Sequence, residues 1–206
     1  MSRKNDTRRW LDSHRRDPWV RAAQAGNYRS RAAFKLAQID ERDRLLRPGM
    51  VVVDLGATPG GWSQYCARQL GRRGRIIALD RLPMEPIDGV EFLQLDFTQD
   101  AGLATLREHL AGAAVDLVLS DMAPNLTGVA VADQMKVMHL AELSLAFCDE
   151  SLKPGGHLVV KVFQGEGFDE LLRDMREHFR SVAVRKPEAS RDASREIYLV
   201  GRDWRD

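Results

Sequence analysis

Apolar and polar positions follow two different spacings along this chain. From residue 17 to residue 46, apolar side chains recur every three or four residues. This spacing predicts helices over residues 18–26 and 30–46, capped by Asp17 and Ser30. From residue 50 onward, short apolar runs alternate with helical stretches. We predict strands over residues 50–55, 75–79, 90–95, 115–120, 158–162, 182–185 and 197–200, and helices over residues 61–70, 101–110, 132–152 and 168–179.

Alternating strands and helices with fully apolar strands are typical of a parallel sheet that is covered on both faces. Parallel connections are right-handed, so such a sheet is doubly wound. We therefore expect an α/β fold with a mostly parallel, seven-stranded sheet. Ligands of these sheets bind outside the carboxyl ends of the strands, so the residues that follow each strand are the candidates for chemistry.

Length and composition set limits on the class of protein. The chain has 206 residues, of which 44% are hydrophobic, enough for one domain with a core. Its apolar runs are too short to cross a membrane, and its first residues lead into no apolar secretory segment. Two isolated cysteines, Cys66 and Cys148, indicate neither a disulfide framework nor a zinc site. We expect a cytoplasmic monomer that binds no metal.

Charge is distributed unevenly along the chain. Residues 1–50 carry 13 Lys and Arg against 6 Asp and Glu, although the whole chain has a net charge of only +1. We divide the chain into a basic N-terminal arm, residues 1–28, and a domain over residues 29–206. An excess of basic residues beside aromatic ones favours a nucleic-acid partner, but a solvated helical face would show the same charge.

The first predicted strand runs into the glycine-rich loop 54–62, where glycines allow tight turns and a close approach to a ligand. The loop does not have the G-x-G-x-x-G spacing of dinucleotide-binding folds, and no Gly-Lys-Ser/Thr follows as in a P-loop. Pro59 also removes one amide donor that a pyrophosphate could use. A nucleoside without phosphates therefore fits this loop better than a dinucleotide.

Acidic residues end four successive predicted strands: Asp54, Asp80, Asp96 and Asp121. A carboxylate in the position of Asp80 can accept hydrogen bonds from a ribose diol, and Asp96 can reach an adenine edge. With Asp54 and Gly56 of the glycine-rich loop beside a methionine moiety, these residues describe a site for S-adenosylmethionine (SAM). This combination is typical of class I, Rossmann-like methyltransferases.

The residues at the strand ends narrow the choice of the atom that would be methylated. Pyrimidine-carbon methylation usually needs a cysteine near the fourth or fifth strand end, and none is there. Amine methylation typically uses Asp/Asn-Pro-Pro-aromatic, whereas this chain has Asp-Met-Ala-Pro-Asn over residues 121–125. Lys161, within the apolar fifth strand, favours a hydroxyl acceptor, although a lysine that reaches from the sheet end to solvent would look the same.

Five segments together resemble the FtsJ/RrmJ (RlmE) family of bacterial ribosomal RNA large-subunit 2′-O-methyltransferases. They are residues 29–36, 54–62, 120–125, 159–165 and 190–198, and the resemblance extends over the chain from about Trp10 onward. Thr58 departs from the family loop, which more often has alanine. The resemblance implies a catalytic set of Lys35, Asp121, Lys161 and Glu196, and SAM contacts at Gly60, Trp62, Asp80, Asp96 and Asp121.

The same resemblance implies the substrate: the 2′-hydroxyl of one uridine in the A loop of 23S ribosomal RNA, within the assembled large ribosomal subunit. We expect the basic arm to hold RNA phosphates together with Arg185, Lys186, Arg191 and Arg195. Three alternatives remain open at this point. They are a 2′-O-methyltransferase that acts on tRNA or an mRNA cap, a SAM-binding ribosome-assembly factor without turnover, and an NAD(P)-dependent dehydrogenase, which the loop spacing disfavours.

Overall fold

The computed structural model of the protein describes residues 17–125, 127–191 and 194–205, so most of the predicted arm, residues 1–16, lies outside the described residues. The helices are α1 (Pro18–Ala25), α2 (Ala32–Asp43), α3 (Gly61–Leu70), α4 (Asp100–Leu110), α5 (Ala130–Ser151) and α6 (Phe168–His178), with one 3₁₀ turn at Gly71–Arg73. The strands are β1 (Val51–Leu55), β2 (Arg75–Asp80), β3 (Val90–Gln94), β4 (Val115–Ser120), β5 (Leu152–Phe163), β6 (Phe179–Arg185) and β7 (Glu196–Trp204).

The strands form one seven-stranded sheet in the order β3-β2-β1-β4-β5-β7-β6. β1 to β5 are parallel, whereas β7 runs antiparallel to both β5 and β6. The expected doubly wound, mostly parallel sheet is confirmed. Since β7 is reversed, its first residue, Glu196, pairs with Phe163 at the carboxyl end of β5. The start of β7 therefore lies at the same edge as the ends of the parallel strands.

Alternate residues of β1, β2, β4, β5 and β7 belong to two separate cores. In β1, Val53 and Leu55 pack in the core beneath α4, α5 and α6, whereas Val52 packs in the core beneath α2 and α3. Full burial of each such side chain stabilises the fold by roughly 1.5–3 kcal/mol. No helix among the described residues is both long and apolar enough to cross a membrane.

β5 is longer than the sequence predicts. Pairing begins at Leu152 opposite Val115, six residues before the expected start at Leu158, and it resumes at His157 opposite Leu117. Four residues, including a proline and two glycines, bulge out opposite the single residue Asp116. The Pro-Gly-Gly sequence thus interrupts the pairing with β4 but does not prevent it, because the bulge removes these residues from the ladder.

The cap of α1 is confirmed, but the expected bounds of α2 are wrong. Asp17 Oδ1 accepts a hydrogen bond from the backbone N–H of Trp19 at 2.9 Å. α2 begins at Ala32 without a side-chain cap, so Ser30 does not cap it. The helix ends at Asp43 because Arg44 adopts a left-handed conformation, with φ 53°. Asp40 Oδ1 then accepts hydrogen bonds from the next two N–H groups, at 2.8 and 2.9 Å, in place of further helical turns.

A buried ion pair joins the end of α2 to β6. The guanidinium of Arg185 donates two hydrogen bonds to the carboxylate of Asp43, at 2.6 and 2.7 Å, and the Asp43 side chain is only 1% exposed. These hydrogen bonds raise the pKa of Arg185 above its ordinary value. The charge of Arg185 is therefore paired with Asp43 inside the fold, and the expectation that Arg185 also holds RNA phosphates stays a prediction.

We expect Asp43→Ala to lower the free energy of unfolding by about 3 kcal/mol, because the mutation leaves the charge of Arg185 without its partner. Urea denaturation followed by circular dichroism would measure the change. Glu150→Ala is the matched control, since Glu150 pairs with Arg107 where both side chains are about half exposed. We expect the control to cost less than about 1 kcal/mol. Equal costs for the two variants would contradict the role given to the buried pair.

Candidate active site

Two adjoining cavities open at the carboxyl edge of the sheet. The first, which we name the β2 cavity, has a volume of about 610 Å³, and its wall includes Asp80 and Asp96. The second, the α2 cavity, has a volume of about 530 Å³, and its wall includes Lys35 and Glu196. The two cavities share Gly56, Thr58 and Asp121. A ligand in one cavity could therefore meet a ligand in the other beside Asp121.

Two glycines with left-handed backbone conformations allow the β1–α3 loop to fit between its neighbours. Gly56 has φ +77°, and a Cβ there would lie 2.8 Å from Cγ of Met122 in the loop after β4. Gly60 has φ +103°, and a Cβ there would lie 2.6 Å from Cδ1 of Ile87 in the loop after β2. A larger residue at position 56 would displace the backbone of the loop after β4, so Gly56 is needed for the shape of both cavities, and the left-handed backbone at position 60 favours glycine.

Two carboxylates at the β2 cavity are oriented by backbone amides. Asp80 accepts hydrogen bonds from the N–H of Thr58 at 2.9 Å and of Leu82 at 2.8 Å, one on each oxygen. Asp96 Oδ1 accepts from the N–H and the hydroxyl of Thr98, at 3.0 and 2.7 Å. Each carboxylate still has lone pairs left for hydrogen bonds from a ligand.

Asp54 is fully buried in the wall of the α2 cavity and has one unsatisfied oxygen. Its Oδ2 accepts a hydrogen bond from Ser63 at 2.6 Å, whereas its Oδ1 has no partner among the described residues. Burial raises the pKa of Asp54 to about 7, an effect that the hydrogen bond from Ser63 only partly offsets. A buried acceptor without a partner costs stability, so it is suited to a ligand that brings an N–H donor.

Trp62 lies in the wall of the α2 cavity at the start of α3. Its indole N–H donates to the carbonyl oxygen of Ala32 at 2.8 Å, and its ring packs against Tyr198 with 5.7 Å between centroids. The side chain therefore joins α3 to α2 and to the sheet, and it positions the end of the glycine-rich loop.

The four residues expected to form a catalytic set come together in two pairs. Lys161 Nζ lies 3.0 Å from Asp121 Oδ1 and donates to the backbone carbonyl of Asp121 at 2.6 Å. Lys35 Nζ lies 2.6 Å from Glu196 Oε1. Residues from α2, β5 and β7 and from the loop after β4 thus converge where the cavities meet.

Tyr198 connects the two pairs, and the sequence analysis did not identify it. Its hydroxyl donates to Asp121 Oδ1 at 3.0 Å and accepts from Lys35 Nζ at 3.2 Å. Side chains two residues apart in a strand lie on the same face, so Tyr198 follows Glu196 on the face that bears the site. That spacing is a signal by which the sequence could have revealed it.

The charges of this cluster follow from its burial. Burial alone would raise the pKa of Asp121, but Lys161 and Lys35 outweigh it and hold the pKa below its ordinary value. Burial, followed by the charges of Asp121 and Glu196, raises the pKa of Tyr198 well above its ordinary value. Asp121 is therefore ionised at neutral pH, and Tyr198 is a protonated donor beside it.

Basic side chains surround the α2 cavity. Arg31 and Arg191 line it, and Arg31 also pairs with Asp17 ahead of α1. Lys186 Nζ donates to the carbonyl oxygen of Ser194 at 2.7 Å. Among the described residues, no three His, Cys, Asp or Glu side chains form a group that could hold a metal ion.

This chain is similar in sequence to known methyltransferases. Residues 28–204 match the family model of FtsJ-like methyltransferases. A protein from Azoarcus sp. named ribosomal RNA large subunit methyltransferase E is 59% identical over 205 residues, covering 100% of both chains. A protein of the same name from Alkalilimnicola ehrlichii is 57% identical, over 98% of this chain and 97% of its own.

The fold also matches a solved structure. A crystal structure of a ribosomal RNA methyltransferase from Plasmodium falciparum aligns with a TM-score of 0.77 and 31% identity, covering 86% of this chain and 98% of that one. Because the family model matches most of the chain and the relatives match all of it, this chain is an enzyme that belongs to the FtsJ-like methyltransferase family.

Proposed function

We propose that this enzyme transfers a methyl group from SAM to the 2′-hydroxyl of a uridine in the A loop of 23S ribosomal RNA, in the assembled large ribosomal subunit. The observation that carries the proposal is the chain of contacts from Lys161 through Asp121 and Tyr198 to Lys35 at the junction of two cavities. The names of the relatives support ribosomal RNA as the substrate. The uridine and the A loop follow from the family resemblance.

SAM fits across the β2 cavity and the adjoining part of the α2 cavity, which share Gly56. In the β2 cavity, Asp80 would accept hydrogen bonds from the ribose diol, and Asp96 would face the adenine. In the α2 cavity, the unpaired oxygen of Asp54 would accept a hydrogen bond from the ammonium of the methionine moiety, close to Trp62 and to the end of the glycine-rich loop at Gly60. SAM supplies an electrophilic methyl group on a positively charged sulfur.

We assign Lys161 as the group that accepts the proton of the 2′-hydroxyl. Its ammonium would first release one proton to solvent, and the neutral amine would then donate its two N–H bonds to Asp121 Oδ1 and to the Asp121 carbonyl, the two acceptors that it contacts. Its lone pair would then be free to accept the proton at Nζ as the new bond forms. Lys35 and Glu196, held to the same cluster, would orient the ribose for an in-line approach.

The basic side of the α2 cavity, together with the basic arm, suits the RNA strand. Arg31 and Arg191 in its wall would contact backbone phosphates, which position a nucleic acid without reading its sequence. We assign residues 1–28 to this arm and residues 29–206 to the SAM-dependent methyltransferase domain. One chain carries the whole set of site residues, so we propose a monomer that needs no metal and acts on ribosomes in the cytoplasm.

Methyl transfer from labelled SAM tests the proposal. Unmodified large subunits, free ribosomal RNA and bulk tRNA would be offered side by side, and the label would be mapped by the resistance of the adjoining phosphodiester to alkaline cleavage. We expect label on one ribose of the large-subunit RNA and the highest rate on the subunit. Label on tRNA alone would overturn the substrate. Tight SAM binding without transfer to any RNA would favour an assembly factor.

We expect Lys161→Arg to lower the rate of methyl transfer by about 10²- to 10⁴-fold, because arginine keeps the charge and the donors but does not release its proton. SAM affinity, measured by calorimetry, should remain close to that of the wild type. Lys153→Arg is the matched control, since Lys153 pairs with Asp116 at the opposite edge of the sheet. Near-normal turnover of Lys161→Arg would show that Lys161 only orients the hydroxyl.

SAM affinity should depend on pH through Asp54. The pKa of this carboxyl is raised to about 7 in the free protein, and its ionised form pairs better with the SAM ammonium. The affinity should therefore fall by up to about tenfold per pH unit below neutrality and level off above it. Calorimetry in buffers with different ionisation enthalpies would also detect proton release on binding.

Asp54→Asn removes the titrating group while keeping an acceptor of similar shape. In this variant the affinity should be weaker at pH values above neutrality, and its pH dependence should be nearly flat. An unchanged pH profile in Asp54→Asn would mean that another group governs SAM binding.

A further inference from the structure

The start of α5 carries a buried polar side chain that lines neither cavity. Gln134 is 4% exposed, and its amide makes three hydrogen bonds to other segments. Its Nε2 donates to the carbonyl oxygens of Phe163 at 3.0 Å and of Glu166 at 2.9 Å, and its Oε1 accepts from the guanidinium of Arg195 at 3.3 Å. Burial of an amide without hydrogen-bond partners is costly, so these three hydrogen bonds allow Gln134 to be buried here.

The partners of Gln134 are next to residues of the proposed catalytic set. Phe163 closes β5 two residues after Lys161, and Arg195 immediately precedes Glu196. Phe163 and Glu196 are paired in the sheet, and the Arg195 guanidinium lies 5.8 Å from the centre of the Phe163 ring. Phe163 and Glu196 are the last pair in the register between β5 and β7. Gln134 thus links the two segments beside this last pair.

The neighbouring residue on α5 fixes a third segment in the same way. Asp133 accepts hydrogen bonds from the N–H and hydroxyl of Thr127, at 2.7 and 2.8 Å, and from the N–H of Gly128 at 3.0 Å. These residues belong to the loop that follows β4 and begins at Asp121. The first turns of α5 therefore contact the end of β5, the residue before β7 and the loop that follows β4.

The β5–α6 loop is shaped around the amide of Gln134. A Cβ at Gly165 would lie 3.0 Å from both Cδ and Oε1 of Gln134. A larger residue at this position would push the amide away from its two carbonyl partners. The absence of a side chain at Gly165 therefore leaves room for the Gln134 amide to reach both carbonyl oxygens.

We propose that Gln134 is a positioning residue for methyl transfer, which sets the separation between Lys161 on β5 and Glu196 on β7. Glu196 in turn contacts Lys35, so a shift of β7 would move three of the four proposed catalytic residues relative to one another. A misplacement of about 1 Å can lower a rate by about 100-fold. The inference rests on the proposed function, since it concerns the geometry of the same site.

The first test compares Gln134→Met with Gln69→Met. Methionine has a similar length but makes none of the three hydrogen bonds, and Gln69 is an exposed residue of α3. The rate at saturating SAM and saturating large subunits is divided by the number of SAM-binding sites, so that unfolded protein does not count. We expect Gln134→Met to be about 10- to 100-fold slower, with SAM affinity and the control variant close to wild type. A wild-type rate per SAM-binding site would overturn the proposal.

Gln134→Glu gives a second, pH-dependent readout. The introduced carboxylate keeps an acceptor for Arg195 but repels the carbonyls of Phe163 and Glu166, whereas the protonated carboxyl can donate to one of them. The rate of this variant relative to wild type should therefore increase as the pH is lowered. A ratio that does not change with pH would contradict a role for the donated hydrogen bonds.

Amide hydrogen exchange separates this inference from the proposed function, because it needs no RNA. In Gln134→Met, exchange at residues 161–163 and 196–198 should become faster, while exchange in β1 and β2 stays as in wild type. If the wild-type protein methylates no RNA but exchange in the variant increases in this way, the proposed function fails, whereas the role of Gln134 in holding the ends of β5 and β7 together stands. Unchanged exchange at both strand ends would overturn the role whatever the activity.

Discussion

Asp121 is the residue on which the arrangement of the site depends. Its carboxylate accepts a hydrogen bond from the hydroxyl of Tyr198 and faces the ammonium of Lys161. Its backbone carbonyl accepts a hydrogen bond from the same lysine. Burial makes an isolated charge there expensive, and Asp121 stays ionised because the two lysines and the hydrogen bond from Tyr198 compensate for that cost. The same balance holds Lys161 and Lys35 in fixed positions although they come from distant parts of the chain.

The topology of the sheet explains how Asp121 and the two lysines come together. Parallel strands bring the ends of β1, β2, β4 and β5 to one edge, and the reversed β7 delivers its first residue to that edge as well. α2 then contributes Lys35 from the face of the sheet that it covers with α3. Two cavities meet at Asp121 as a result, one suited to a nucleoside and the other surrounded by basic side chains.

Much of this arrangement is visible in the sequence. The apolar strands and the aspartates that follow them predict the sheet and the edge that bears the site, because strand period and strand ends are local properties. The limits of β5 were not predictable in this way, since Pro154 and the two glycines after it normally end a strand. Only the pairing of Leu152 with Val115 across the bulge extends it. The pairing of Arg185 with Asp43 was likewise not predictable, because a charged residue near the end of a strand is equally consistent with binding RNA or with an internal ion pair.

The sequence by itself determined the fold class, the strand ends and the chemical types of the candidate residues, because each depends on side chains that are close together in the chain. Tertiary structure alone decided which of those side chains contact one another. Tyr198 joins two ion pairs through residues 77 and 163 positions away, and Gln134 reaches two strand ends from a helix. Such contacts depend on distances between elements, and the hydrophobic pattern that builds each element carries no information about them.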